Sequence, residues 1–235
     1  MKMSNIIINP WTINIFCDCS TNSKLERITN TAYGAMAFNQ TTLIDSEFRI
    51  LTDKTSNYGE LKAINLGVRL ANKIRNQYSF NRFNIFSDSY IASFGMRDYC
   101  KKWMAIDTGL YKRSTKQIVA SQNVYIDTIN IIVENNLPVT IWDQKGHVDV
   151  HDPTSMKIAK ELFEQNNFHY ADIDDDFMVY ISLGNNAIDD ASRKFLKSTF
   201  DQTKQYIEPV YFVPHQYEKM ISMYDQLQKQ GEELC

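Results

Sequence analysis

Four carboxylates of this chain stand in positions where an acid is unfavourable unless it has chemical work to do. Asp18 lies inside an apolar segment that alternates like a strand, and Asp88 ends a second apolar segment. Glu60 falls on the apolar stripe of a predicted helix, and Asp189 in the first turns of another. Helix N-termini favour anions, and open α/β sheets bind ligands beyond the carboxyl ends of their strands. The four acids therefore form a candidate site.

The chemistry that suits four such acids is metal binding. Buried carboxylates repel each other and take up protons unless a cation compensates them. Oxygen ligands suit two Mg²⁺ ions, with Mn²⁺ as the alternative, and ions about 3.5–4 Å apart can clamp both oxygens of a phosphoryl displacement. Singly, Asp18 could be a turn residue, Glu60 a helix acid and Asp189 a solvated cap. Together they favour a two-metal site.

The elements that must position these acids follow from hydrophobic periodicity. Alternation predicts strands, three of them close together and then two separated by helices, which indicates a mixed sheet that is antiparallel first and parallel later. The predicted fold class is α/β, a five-stranded mixed sheet flanked by helices. The predicted strands are 12–19, 32–38, 42–51, 83–88, 139–144 and a short 211–213, and the predicted helices are 57–76, 89–104, 117–135, 153–166, 184–199 and 214–230.

The sequence contains no repeat or linker that forces a boundary between domains. We expect one catalytic domain over residues 1–200, interrupted by an insertion at about 149–183. Residues 201–235 form a predicted helical C-terminal extension that packs on the core.

Composition limits the class of protein. The 235 residues are 43% apolar and 23% charged, which is ordinary for a globular chain. No run of eighteen apolar residues occurs, the first ten residues are too short and broken for a signal peptide, and four cysteines are too few for a disulfide framework. We expect a cytoplasmic protein with no membrane partner.

Charge is unevenly distributed along the chain. The net charge is −3, but residues 171–190 hold six aspartates and no Lys or Arg. Residues 99–116 instead hold five basic residues against one Asp, with Trp103 and Tyr111 between them. Basic and aromatic residues in one segment suit a nucleic-acid backbone and stacked bases, and a solvated helical hairpin is the alternative.

Six segments resemble, in the same order, the motifs of type 1 ribonuclease H. Residues 15–20 resemble the "DGS" strand, 33–36 "YGA", 55–63 "TNNxxELxA", 85–89 "TDS", 142–147 "VKGH" and 184–189 "GNxxAD". The resemblance implies an RNase H-like fold and a metal-dependent endonuclease that cuts the RNA strand of RNA–DNA hybrids. It also implies that the two metals are held by Asp18, Glu60, Asp88 and Asp189, while His147 assists proton transfer or product release.

The resemblance also implies substrate contacts. The serine of the first motif is Ser20, Thr55 would bind a DNA-strand phosphate, and Asn57 would contact a groove edge, although residues 55–57 could equally cap the helix. The basic segment is similar to a protrusion that grips the hybrid in bacterial members. Its candidate contacts are Lys101, Lys102, Trp103, Lys112 and Arg113.

Two departures from the family pattern leave alternatives open. Cys19 replaces the glycine of "DGS", and Ser56 replaces the first asparagine of the helix motif. Asp190 stands beside Asp189, and the offset from Asn185 favours Asp189 as the fourth ligand. The alternative functions are a nuclease of the same fold that acts on DNA, and a weakly active scaffold that binds hybrids.

Overall fold

The computed structural model describes residues 10–22, 29–106, 109–167, 173–198 and 214–233, with side chains of the last segment described over 217–229. Seven strands and six α-helices lie in these ranges. The strands are β1 Thr12–Thr21, β2 Asn30–Asn39, β3 Thr42–Thr52, β4 Arg82–Ser87, β5 Trp103–Ile106, β6 Gly109–Lys112 and β7 Val139–Asp143. The helices are α1 Ser56–Gln77, α2 Tyr90–Phe94, α3 Gln122–Glu134, α4 Pro153–Asn166, α5 Asp175–Ser198 and α6 Pro214–Glu233.

Five strands form one mixed sheet in the order β3-β2-β1-β4-β7. The pairs β1–β2 and β2–β3 are antiparallel, whereas β1–β4 and β4–β7 are parallel. This arrangement confirms the predicted fold class, an RNase H-like sheet whose strand directions change at β1. Strands β5 and β6 form a separate antiparallel hairpin.

Alternation along β1 divides the interior into two cores. Ile13, Ile15 and Cys17 join the core beneath α1, α3 and α6, while Phe16 points to the opposite face and joins the core beneath α4 and α5. The 3.6-residue stripe predicted for α1 is buried against the first core. Glu60 lies on this helix, so the helix brings an acid to the sheet.

A chain of buried side-chain hydrogen bonds crosses the sheet. Asn84 Nδ2 donates to Asn14 Oδ1 at 3.0 Å, and Trp142 Nε1 donates to Asn84 Oδ1 at 3.1 Å. Asn14 Nδ2 donates to the Tyr180 hydroxyl at 3.3 Å. Any other strand register would leave these buried polar groups without partners. This series of hydrogen bonds therefore fixes how β1, β4 and β7 align.

Helix α5 corrects one sequence-based prediction. It begins at Asp175, not at residue 184, because Phe177, Met178 and Ile181 continue the apolar stripe toward the N-terminus. Residues 175–183 of the predicted insertion are therefore part of this helix. Asp189 lies in the middle of the helix and gains nothing from a helix N-terminus.

Two further helices are shorter than predicted. The helix expected over 89–104 ends at Phe94, continues as a π turn and a 3₁₀ turn, and gives way to β5. The helix expected from 117 begins at Gln122, because Ile118 pairs with Tyr111 of β6 and Ser121 adopts a left-handed conformation. The predicted strand 211–213 and residue 199 lie outside the described residues.

Helix α6 packs on α3, β5 and β7. Tyr217 Oη donates to the Cys100 carbonyl at 3.0 Å, and Gln228 Nε2 donates to the Val139 carbonyl at 2.6 Å. The Gln228 contact covers the start of the edge strand β7. No helix within the described ranges is long and apolar enough to cross a membrane.

We expect Gly184→Ala to destabilise the protein by about 1–2 kcal/mol. A Cβ at this position would overlap the ring of Phe16, which is 1% exposed and stacked on Phe86 with ring centroids 5.1 Å apart. Urea unfolding measures the loss. Leu183→Ala, at an exposed neighbouring position, is the control and should change stability by less than about 0.5 kcal/mol. Equal stability of the two variants would contradict this packing.

Candidate metal centre

The carboxylates converge where the sheet changes strand direction. Cys17 of β1 pairs with Ser87 of β4, so the next residues, Asp18 and Asp88, lie side by side at the carboxyl ends of two central strands. Helix α1 brings Glu60 over the same edge. One carboxylate oxygen from each of the three residues lies within 4.8 Å of the others. Three acids far apart in sequence thus share one small volume.

Burial and mutual repulsion disfavour three negative charges here. Burial, with the neighbouring charge of Asp88, raises the pKa of Asp18 to about 8. Burial, together with the charge of Asp18, raises the pKa of Glu60 well above its ordinary value. The pKa of Asp88 is also raised, again mainly by burial. A bound cation would remove this repulsion and keep all three groups ionised.

The donor set fits a hard divalent cation. Glu60 Oε2 is buried and has no hydrogen-bond partner among the described residues. Asp18, Glu60 and Asp88 each offer one carboxylate oxygen to the same small volume. Carboxylate oxygens are the ligands that Mg²⁺ and Mn²⁺ prefer. The cluster therefore has the chemistry of a site for either ion.

Asp189 lies beside this cluster but outside the group of three. Its side chain is 14% exposed, and its charge contributes to the raised pKa of Asp18. Its Oδ2 atom is 3.5 Å from His147 Nδ1 and 2.6 Å from Arg193 Nη2. Asp190 instead pairs with Lys194 at 2.5 Å and is 61% exposed. The geometry favours Asp189 over Asp190 as the fourth acid of the site.

Two buried amides hold Asp88 in place. Asn185 Nδ2 donates to Asp88 Oδ2 at 3.3 Å, and Gln144 Nε2 donates to Asn185 Oδ1 at 2.8 Å. A Cβ on Gly146 would overlap Asp88 Oδ2, so only glycine allows the loop after β7 to approach this closely. Sequence reasoning used Asn185 only to count residues and gave Gln144 no role. The sequence does offer one signal for these two residues: each is an amide side chain within a motif segment, Gln144 in 142–147 and Asn185 in 184–189.

Cys19 supports Glu60 from the position where the "DGS" motif has glycine. Its Sγ donates to Glu60 Oε1 at 3.1 Å and contacts the Ser56 carbonyl at 3.4 Å. Its backbone N–H donates to Asp18 Oδ1 at 2.7 Å. Burial raises the pKa of the Cys19 thiol, so it remains a neutral donor. The departure from the pattern thus places a thiol donor against one acid of the site.

The short polar residues predicted to contact substrate surround the same edge. Ser20 is half-buried on β1, two residues beyond Asp18. Thr55 Oγ1 accepts from the Tyr58 N–H at 3.3 Å and therefore caps α1, while Asn57 is exposed in the first turn. The capping interpretation of this segment holds. Contact with substrate stays a prediction for all three residues.

The basic segment is a β-hairpin with flanking turns, and its cations differ in availability. Lys101 Nζ pairs with Asp225 of α6 at 2.5 Å. Lys102, Lys112 and Arg113 are exposed. Trp103 is buried against Tyr125, with ring centroids 4.7 Å apart. Of the four predicted cationic contacts, Lys101 is thus paired with an acid, and Lys102 Nζ lies over the Tyr99 ring at 5.8 Å from its centroid.

Solved structures with similar folds are RNase H domains. No protein-family model and no curated protein sequence matches the chain. The RNase H domain of prototype foamy virus is 15% identical and aligns over 66% of this chain and 94% of its own, with a TM-score of 0.46. An RNase H1 isolated from compost, solved with an RNA/DNA hybrid, is 8% identical over 65% of this chain and 97% of its own, with a TM-score of 0.43.

The foamy-virus protease–reverse transcriptase is also similar, at 14% identity over 68% of this chain with a TM-score of 0.45. The chain spans about a fifth of that protein, 21% of its length. The RNase H-like fold of this chain is defined by its strand order, β3-β2-β1-β4-β7, and by the change of strand direction at β1.

We expect Asp18→Asn to stabilise the metal-free protein at pH 8 by about 1–3 kcal/mol. The folded-state pKa of Asp18 is about 8, above its ordinary value of 3.8, so stability should fall as pH rises between these values. The variant removes this loss, and its side-chain amide keeps an oxygen that can accept from the Cys19 N–H. Thermal unfolding in a chelator, at pH 4 and pH 8, measures the difference.

Most of the stabilisation should be lost by pH 4, close to the ordinary pKa of 3.8, where Asp18 is protonated in the folded protein and about half ionised in the unfolded chain. Millimolar Mg²⁺ should stabilise the parent more than the variant. A variant less stable than the parent at pH 8 would show that the carboxylates do not repel each other.

We expect Asn185→Leu to weaken divalent-metal binding about 10–100-fold. The change removes the donor to Asp88 and leaves Gln144 Nε2 unpaired, so the carboxylate loses its fixed orientation. Mn²⁺ titration by calorimetry measures the affinity. The control is Asn186→Ala. It changes the residue next to Asn185 and removes a hydrogen bond to the Val148 carbonyl, not one to Asp88. Equal Mn²⁺ affinities for the parent and Asn185→Leu would disprove the role of Asn185.

Proposed function

We propose that this protein is an endonuclease that hydrolyses the RNA strand of RNA–DNA hybrids with two divalent metal ions, Mg²⁺ or Mn²⁺. The observation that carries the proposal is the convergence of Asp18, Glu60 and Asp88 at the direction change of an RNase H-like sheet. The buried Glu60 Oε2, which has no hydrogen-bond partner among the described residues, supports it, because a buried carboxylate stays ionised only when a cation compensates its charge.

In this proposal Asp18, Glu60, Asp88 and Asp189 hold the metals. When bound, the ions would supply Lewis-acid chemistry that activates a water nucleophile and neutralises charge on the leaving oxygen. The residues around them keep the acids in place. Asn185 orients Asp88, Cys19 orients Glu60, and Arg193 restrains Asp189.

His147 is suited to proton exchange at the edge of the site. Its side chain is 70% exposed, and its Nδ1 faces Asp189 at 3.5 Å. An imidazole held on one side by a carboxylate can exchange a proton with water through its other nitrogen. We assign His147 to proton transfer or product release on this basis.

The hybrid is the substrate that the surrounding surface suits. An A-like duplex presents 2′-hydroxyls and phosphates across a wide minor groove, which short polar side chains can contact. Ser20, Thr55 and Asn57 are such side chains. Lys102, Lys112 and Arg113 would hold backbone phosphates, with Lys101 contributing less because of its pairing with Asp225.

The proposed compartment is the cytoplasm. The described cysteines Cys17, Cys19 and Cys100 are free thiols, and Cys17 and Cys100 are buried. Free thiols of this kind are typical of a reducing compartment.

A cleavage assay on matched duplexes tests the function. With Mg²⁺ or Mn²⁺, the parent should cut the RNA strand of a labelled RNA–DNA hybrid and leave duplex RNA and duplex DNA intact. Asp18→Asn should lower the rate about 10²–10⁴-fold, because it removes one metal ligand. Loss of activity could not be attributed to unfolding, since even the metal-free variant should be more stable than the metal-free parent.

Asp190→Asn is the matched control, because Asp190 lies next to Asp189 but pairs outward with Lys194. It should cut at nearly the parental rate. Preference for duplex or branched DNA would select a DNA nuclease of the same fold instead. Hybrid binding without cleavage at any Mg²⁺ or Mn²⁺ concentration would select the scaffold.

A further inference from the structure

A pocket of about 530 Å³ lies between the β5–β6 hairpin, α2 and α3. This volume falls within the range of about 300–1,000 Å³ that is usual for small-ligand sites. Three aromatic and three cationic side chains contribute to its wall. The lining includes Tyr99, Trp103, Tyr125, Lys102, Lys112 and Arg113.

The aromatic residues form a floor and a rim. Trp103 and Tyr125 are 9% and 6% exposed and meet edge to face at an interplanar angle of 75°. Tyr99 is 39% exposed and stands at the mouth. Tyr99 also packs on Phe94, with ring centroids 6.1 Å apart. A wall with three aromatic side chains, one of them partly exposed, suits a planar aromatic group, because such groups stack on aromatic side chains.

The cations of the pocket are available to an anion. Lys102, Lys112 and Arg113 are all exposed, and the ion pairs among the described residues include none of them. Lys102 Nζ lies over the Tyr99 ring, 5.8 Å from its centroid, so Lys112 and Arg113 are the cations most open to an anion. No Asp or Glu is present in the lining. The pocket therefore favours a ligand that joins an aromatic ring to a negative charge.

The pocket is close to the metal centre. Ile91 also lines it and follows Asp88 by three residues. Three residues of chain span at most about 11 Å, so the Cα atoms of Asp88 and Ile91 lie within that distance. A ligand in the pocket would thus lie beside a nucleic acid bound at the carboxylates.

We propose that this pocket binds an unpaired nucleobase of a single-stranded stretch, with the adjoining phosphates held by Lys112 and Arg113. The inference deepens the proposed function, on which it rests for the identity of the polymer. Surface cations alone would be enough to bind the phosphate backbone of a nucleic acid. The pocket lined by Trp103 and Tyr125 adds a place that can hold a base. Substrates that join a hybrid to a single-stranded overhang would occupy both sites.

The test is binding of two short DNA strands of equal length and charge. One is fluorescein-labelled oligothymidylate, and the other has the same backbone with abasic positions. Fluorescence anisotropy is recorded with the full-length parent in a chelator, so that no cleavage takes place. The base-containing strand should bind about 5–100-fold more tightly, the range expected for one stacked base.

Three variants locate the binding. Tyr99→Leu removes the ring at the exposed rim and should erase most of the difference between the two strands. Lys112→Gln/Arg113→Gln should weaken binding of both strands about tenfold. Lys157→Gln/Lys197→Gln removes the same charge from exposed positions on α4 and α5, across the sheet, and should leave both affinities unchanged.

Equal affinity for the two strands would overturn the proposal and indicate a surface that binds phosphate alone. Free thymidine monophosphate that competes as well as the strand would also overturn it, in favour of a nucleotide site. Because binding is measured without metal, it stands or falls separately from hybrid cleavage.

Discussion

Repulsion between carboxylates at the ends of β1 and β4 is the constraint around which the rest of the structure is arranged. Asp18 and Asp88 follow paired residues of adjacent parallel strands, and Glu60 completes the group from α1. Like charges so close are unfavourable in a buried site unless a cation joins them. In the metal-free state this repulsion lowers the stability of the fold. The same arrangement of carboxylates is what creates a binding site for a cation.

Holding three such groups together requires a rigid support on every side. The Asn14–Asn84–Trp142 hydrogen bonds fix the register of the central strands, and a slip by one residue would move Asp18 to the opposite face. The Gln144–Asn185 pair anchors Asp88 from the loop after β7 and from α5. The repulsion between the acids is therefore opposed by a buried hydrogen-bond network in which most polar groups have partners.

The sequence was sufficient for the sheet and for the three acids, because strand alternation and the α1 stripe are strong local signals. It was insufficient for α5, whose start was misplaced because Gly184 looks like a helix boundary. In the structure that glycine lies inside the helix and makes room for the Phe16 ring, a contact between distant segments. The role of Gln144 and the pairing of Lys101 with Asp225 also depend on tertiary contacts. No local pattern encodes them.

The contact of Gln228 with the edge of the sheet has a consequence for association. An uncovered edge strand offers unpaired backbone groups to other chains, and such edges promote strand addition and aggregation. The Gln228 amide occupies the carbonyl of Val139, and α6 lies along β7. A second chain could extend the sheet at this edge only after the helix had been displaced, so α6 acts as a guard against intermolecular β-pairing.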